Sequence, residues 1–210
     1  RKRAADALKR PELDGFAIRE GDDAPAGGGY IDTDLLVRTT MCLAHGSVKY
    51  ADAEKGLVAK AGLNAKASLY GSLEPKWDDA VAALCGVTTW LRSCGIRSGR
   101  WLPYRYLLLT PAVGEPGKPT MERDQWLAWV ICASLWGLYA GSAESKAQAD
   151  ARSVRRGDWP TLWKSLRTHA KRPDNLIPQK EDLHSGVVQI DGVLLALLVL
   201  FHRNDAKSFY

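Results

Sequence analysis

No apolar run in this 210-residue chain is long enough to cross a bilayer. The longest, 193–201 (VLLALLVLF), falls far short of the roughly 18–20 residues a spanning helix needs. Gln189 and Asp191 interrupt its extension toward the N-terminus. The N-terminal residues do not resemble a signal peptide, since Arg1-Lys2-Arg3 leads into charged rather than apolar sequence. These absences predict a cytosolic protein with no membrane partner. The four cysteines, Cys42, Cys85, Cys94 and Cys132, form no C-x-x-C pair, so reduced, buried thiols are expected rather than a disulfide framework. The four histidines, His45, His169, His184 and His202, lack H-x-x-x-H or H-E-x-x-H spacing, so no local zinc site is expected.

Catalytic motifs are missing as well. The string 114–118 (GEPGK) superficially suggests a phosphate loop. That loop needs glycine where Ala112 stands and Ser or Thr where Pro119 stands. Asp78 and Asp79 are adjacent, so on a helix their carboxylates point to different sides. Ser134, Ser142 and Ser145 lie in no nucleophile elbow, and 184–186 (HSG) is a turn by composition. The chain is therefore expected to hold no complete active site, cofactor site or metal site of its own.

Acid is missing from 80–114, where Arg92, Arg97, Arg100 and Arg105 stand without a counter-charge in sequence. Between 144 and 172 there are eight basic residues and three acidic ones, an excess of five that equals the whole net charge of +5. Clustered positive charge suits a polyanion. The alternative is a basic face that is simply solvated.

What is present is helical periodicity almost everywhere, with no sustained alternation of the strand kind. Hydrophobic residues make up 46% of the chain, enough for a core without disulfide or metal support. The fold expected is all-α, an irregular bundle of about seven to nine helices around a buried, Trp-rich central helix. Residues 1–29 read as the end of a preceding helix plus a flexible connector (22–29, DDAPAGGG), and 30–210 as the bundle domain. Asp32 is a plausible N-cap, with Ile31 stapling onto Leu36. One or two weakly patterned helices are expected over 51–69, and a helix over 76–93 with Pro75 at its start. A short helix over 104–109 should end before Pro111. The central helix is expected over 122–140, with Ser142 capping the next one, 143–156. An amphipathic helix follows over 159–171, with Trp159, Leu162, Trp163, Leu166 and Ala170 inward and Lys164, Arg167 and Lys171 outward. A last, largely buried helix is expected over 187–201. The opening Arg1 and the apolar stretch just before Tyr210 suggest cuts in a longer polypeptide.

The stretch 126–155 (WLAWVICASLWGLYAGSAESKAQADARSVR) resembles a feature of the GmrSD restriction family, in which a Trp-rich apolar helix runs through an aromatic-small-Gly-Ser turn into a polar helix. Tyr139, Gly141 and Ser142 match the turn, and Lys146 and Asp150 follow it; Leu138 stands where the family usually has Arg. The stretches 31–45 (IDTDLLVRTTMCLAH) and 96–109 (IRSGRWLPYRYLLL) resemble that family's early core helix and its Leu-Pro-Tyr loop. The resemblance implies a modification-dependent or anti-phage restriction protein acting on DNA. It further implies that this chain is the region between a ParB-like N-terminal domain and an HNH nuclease domain. Nucleotide and divalent metal would be used by those neighbouring domains. Neither of their motifs occurs here; 175–178 (NLIP) lacks the paired histidines a nuclease metal needs.

Three functions are open to such a chain. A DNA-facing domain would use Arg152, Arg155, Arg156, Lys164, Arg167, Lys171 and Arg172, with Arg97, Arg100 and Arg105 as a second group beside Trp101 and Tyr104. A structural module would dock neighbouring domains or a second copy as a homodimer, using aromatic residues such as Trp101 and Trp159 near helix ends. An independent enzyme would need a site assembled from distant residues, to which nothing in the sequence points.

Overall fold

The computed structural model describes residues 2–18, 28–61, 71–114, 123–185 and 187–203. Most of the connector 22–29, part of the helical region 51–69 and the loop 115–118 lie outside them. Among the described residues the α-helices are α1 (Lys2–Leu8), α2 (Thr33–His45), α3 (Tyr50–Ala61), α4 (Trp77–Ser93), α5 (Tyr106–Val113), α6 (Arg123–Leu135), α7 (Ala143–Arg155), α8 (Trp159–Ala170), α9 (Lys180–His184) and α10 (Ile190–Arg203). Eight of them have eight or more residues, within the range expected. There is no β-strand among the described residues, only two isolated bridges.

Local chemistry sets several boundaries. Asp32 accepts a hydrogen bond from the Leu35 amide at 2.7 Å and starts α2, while Ile31 and Leu36 are both fully buried beside it. Pro75 falls in a 3₁₀ turn (Glu74–Lys76) that leads directly into α4. The central helix is shorter than periodicity predicts. It stops at Leu135, because Gly137 takes a left-handed φ of 58° and folds the chain back. The Leu138 amide then bonds to Ala133 O at 2.9 Å and the Gly137 amide to Ser134 O at 3.2 Å, the double closure of a Schellman motif. Apolar periodicity continues past the stop because Trp136, Leu138 and Tyr139 remain buried in the turn.

Two other boundaries differ from expectation. α5 runs through Pro111 to Val113 rather than ending before it. Pro111 removes one backbone bond, but all eight residues of this helix are buried, and packing against α2, α4, α6 and α7 outweighs that loss. Ser142 makes no side-chain cap for α7; its carbonyl accepts the Lys146 amide instead.

The core is one continuous cluster. An edge-to-face aromatic series, Tyr106–Tyr139–Trp129–Trp126–Trp159, links α5, the turn after α6, α6 itself and α8, with centroids 5.1–6.4 Å apart. Trp159 is thus half-buried packing, not a free docking residue. Ala4, Ala7, Leu8, Leu13 and Phe16 join the same core as α4. Both ends of the connector are fastened: Ile31 N donates to Phe16 O (2.8 Å), Gly29 N to Gly99 O (2.9 Å) and Gly99 N to Gly15 O (2.9 Å). The last helix is not largely buried. Leu195 and Val199 pack inward, but Ile190, Leu194, Leu197 and Leu200 are exposed, because α6 covers one side of α10 only.

Candidate nucleic-acid interface

The clearest unpaired charge lies on α8. Asp158 caps this helix by accepting from the Thr161 amide at 3.1 Å, and the Thr161 side chain and amide together hold its carboxyl below the usual range. Leu162 and Leu166 are fully buried, so the 3.6-residue repeat turns Lys164, Arg167 and Lys171 to solvent. Lys164 and Lys171 are about 10 Å apart along the axis. Among the described residues none of the three pairs with a carboxylate. Together with Pro160, Thr168 and Pro173 they line a shallow depression of about 560 Å³.

Lys171 closes the helix in the left-handed region, at φ 56°, the only non-glycine residue among those described to do so. Its amide bonds to Thr168 O and the Arg172 amide to Arg167 O, so Lys171 occupies the position that usually selects glycine. A lysine there keeps a cation at the end of the row, at a backbone cost of about 1–2 kcal/mol.

The other basic residues divide by their partners. Arg97, Arg100 and Arg156 are exposed, and Arg152 is exposed with only a distant contact to Asp52 at 3.9 Å. The Arg100 guanidinium lies 5.8 Å from the ring centroid of Trp101, which is itself 37% exposed. Arg155 instead reaches back to the carbonyls of Cys42 and Leu43 at the C-terminus of α2. Arg105 lies 3.2 Å from Asp32 and 2.8 Å from Asp34. Arg172 pairs with Asp182 and sits over the Trp136 ring. These last three hold the fold together, and seven of the ten candidates remain available to a polyanion.

Of Tyr139, Gly141, Ser142 and Lys146, Tyr139 and Lys146 tie the turn after α6 to its neighbours through their side chains. The buried Tyr139 hydroxyl donates to Asp150 at 3.0 Å and lies 2.7 Å from the Thr110 hydroxyl. Burial pushes the Asp150 carboxyl up to about 6, against the hydrogen bond from Tyr139 that favours its charged form, and burial likewise drives the Tyr139 phenol well upward. His169 on α8 places Nε2 3.0 Å from Trp136 O and 3.1 Å from Gly137 O, so Nε2 donates. Nδ1 is then the acceptor for Lys146 Nζ at 3.3 Å, while Lys146 also donates to Ala140 O. The turn between α6 and α7 is thereby pinned to α8, which orients its basic face.

Arg38 was not singled out by sequence reasoning. It bonds Asp34 and Glu144, each at 2.7 Å, donates to Val48 O at 3.0 Å, and lies over the Tyr50 ring. Burial works to lower its pKa, but the bonds to Glu144 and Asp34 prevail and raise it. The i,i+4 spacing of Asp34 and Arg38 was a readable signal; the bond to Glu144 was not. Through Arg38–Glu144 and Arg105–Asp34 the stretches 31–45, 96–109 and 126–155 converge, around a pocket of about 620 Å³ lined in part by Pro103, Tyr104, Arg105, Gly141, Ser142 and Glu144. At this pocket Arg105 is paired with Asp32 and Asp34, and Glu144 with Arg38. Among the described residues no group of three or more His, Cys, Asp or Glu could hold a metal ion. No known family, curated protein or solved structure matches the chain.

Proposed function

We propose that this chain is a DNA-facing helical domain of a modification-dependent or anti-phage restriction protein of the GmrSD type. In this reading it grips the phosphate backbone and leaves nucleotide hydrolysis and strand cleavage, with their nucleotide and metal, to neighbouring domains. The supporting observation is the row Lys164–Arg167–Lys171: three outward cations along α8 and its C-cap, none paired with a carboxylate among the described residues, the last kept in a conformation that glycine would adopt more easily. Such a row contacts phosphates rather than base edges, so binding should depend little on sequence.

The partner assignments lower the expected number of phosphate contacts. The α8 row alone gives a logarithmic salt slope of about −2.7, or roughly fortyfold weaker binding at 200 than at 50 mM salt. With Arg152 and Arg156 added, the loss becomes about five-hundredfold. The test is fluorescence anisotropy of the chain with a short duplex at several salt concentrations. The expected outcome is binding with a slope in that range, much reduced by Lys164→Ala with Arg167→Ala, and a slope unchanged by Arg155→Ala. Absence of binding at low salt would sink the proposal. A second reading, a structural interdomain or dimerisation scaffold without nucleic acid, would then stand, favoured by the exposed aliphatic side chains gathered at 177–200.

A further inference from the structure

Large apolar side chains left in solvent are not scattered over this molecule. Among the described residues they are Trp101 and seven aliphatic residues that all fall between 177 and 200. Ile190, Leu194, Leu197 and Leu200 follow helical spacing along the outer face of α10, and Val187 directly precedes them. The opposite face, with Gly192, Leu195 and Val199, is packed inward against the bundle. The chain treats water-facing helices differently elsewhere: α7 turns out Arg152 and Arg156, and α8 turns out Lys164 and Arg167. From 192 to 201 there is no charged residue at all.

We infer that this face is a homodimer interface, with α10 of one copy packed antiparallel against α10 of a second copy and Leu197 near the two-fold axis. The five side chains from Val187 to Leu200 expose on the order of 500 Å² of apolar surface, within the range of the largest patch a monomer carries. That is most of the ~800 Å² each partner contributes to a standard interface. Leu183 on α9, the helix before it in the chain, is half-exposed as well. The stripe is self-complementary, which an isologous contact requires. With Leu197 on the axis, Leu194 of each copy meets Leu200 of the other, and the helix dipoles oppose. With no charged residue from 192 to 201, this stretch offers a nucleic acid no cation. The inference stands independently of the DNA reading.

Sedimentation velocity of the full 210-residue chain over a range of micromolar concentrations tests it. A monomer–dimer equilibrium is expected. Leu197→Glu and Leu197→Lys should each give monomers with unchanged far-UV circular dichroism, because this position is exposed and outside the core. Mixing the two variants should restore a heterodimer, which loss of folding could not mimic. Leu194→Glu should act like Leu197→Glu. A chain that stays monomeric throughout, a dimer that survives both Leu197 substitutions, or a monomer that floats with phosphatidylserine vesicles would each overturn the inference.

Discussion

Lys171 and Asp150 show how single positions carry a cost that the surrounding fold imposes. Lys171 sits at a left-handed helix terminus where glycine is free of the β-carbon clash. Lys171→Gly should therefore stabilise the chain by about 1 kcal/mol in urea denaturation, since relief of strain exceeds the added chain entropy. The same substitution should weaken duplex binding and flatten its salt slope by about 1. A gain in both stability and affinity would contradict the role given to this lysine. Asp150 carries a different cost. Its carboxyl ionises at about 6 in the folded chain against an ordinary 3.8, so between those values the native state binds more protons than the unfolded one. This group's contribution consequently falls as pH rises from about 4 to about 6, by on the order of 3 kcal/mol, and is level above. Asp150→Asn keeps an oxygen to accept from Tyr139 and removes the charge. The difference in unfolding free energy between variant and parent chain should grow in the variant's favour over that pH window. A difference that is flat with pH would refute the assignment.

At the scale of elements, the junction of α6 and α10 is a tightly packed contact. A β-carbon at Gly192 would lie 2.5 Å from Leu135 N and 2.6 Å from Ser134 C, both backbone atoms that cannot rotate away. Gly192→Ala should cost about 1–3 kcal/mol and lower hydrogen-exchange protection first in α10. Unchanged protection there would mean that the helices do not approach so closely. The elements themselves were largely legible in the sequence. The Asp32 cap and the inward face of α8 depend on neighbours within a turn or two, and short-range chemistry is what a sequence displays directly. The boundaries that differed, at Leu135 and Pro111, are those where long-range burial competes with local propensity. Continued burial beyond a glycine turn looks, in one dimension, like continued helix.

Across the whole molecule, tertiary contacts sorted the charges. Ten basic residues looked alike in sequence, yet Arg105, Arg155 and Arg172 find carboxylates or carbonyls that other elements or distant turns of the chain bring to them. Lys164, Arg167 and Lys171 find none among the described residues. The same sorting applies to the tryptophans, of which Trp126, Trp129 and Trp159 form the aromatic series through the core. The sequence by itself determined the helical class, the Asp32 cap and the inward face of α8, because periodicity and capping act over a few residues. Only the tertiary structure decided which arginines are committed to the fold, how the stretches 31–45, 96–109 and 126–155 meet, and which side of α10 is left bare. Those outcomes depend on distances between residues from ten to more than a hundred positions apart, and the chain's linear order carries no trace of the contact.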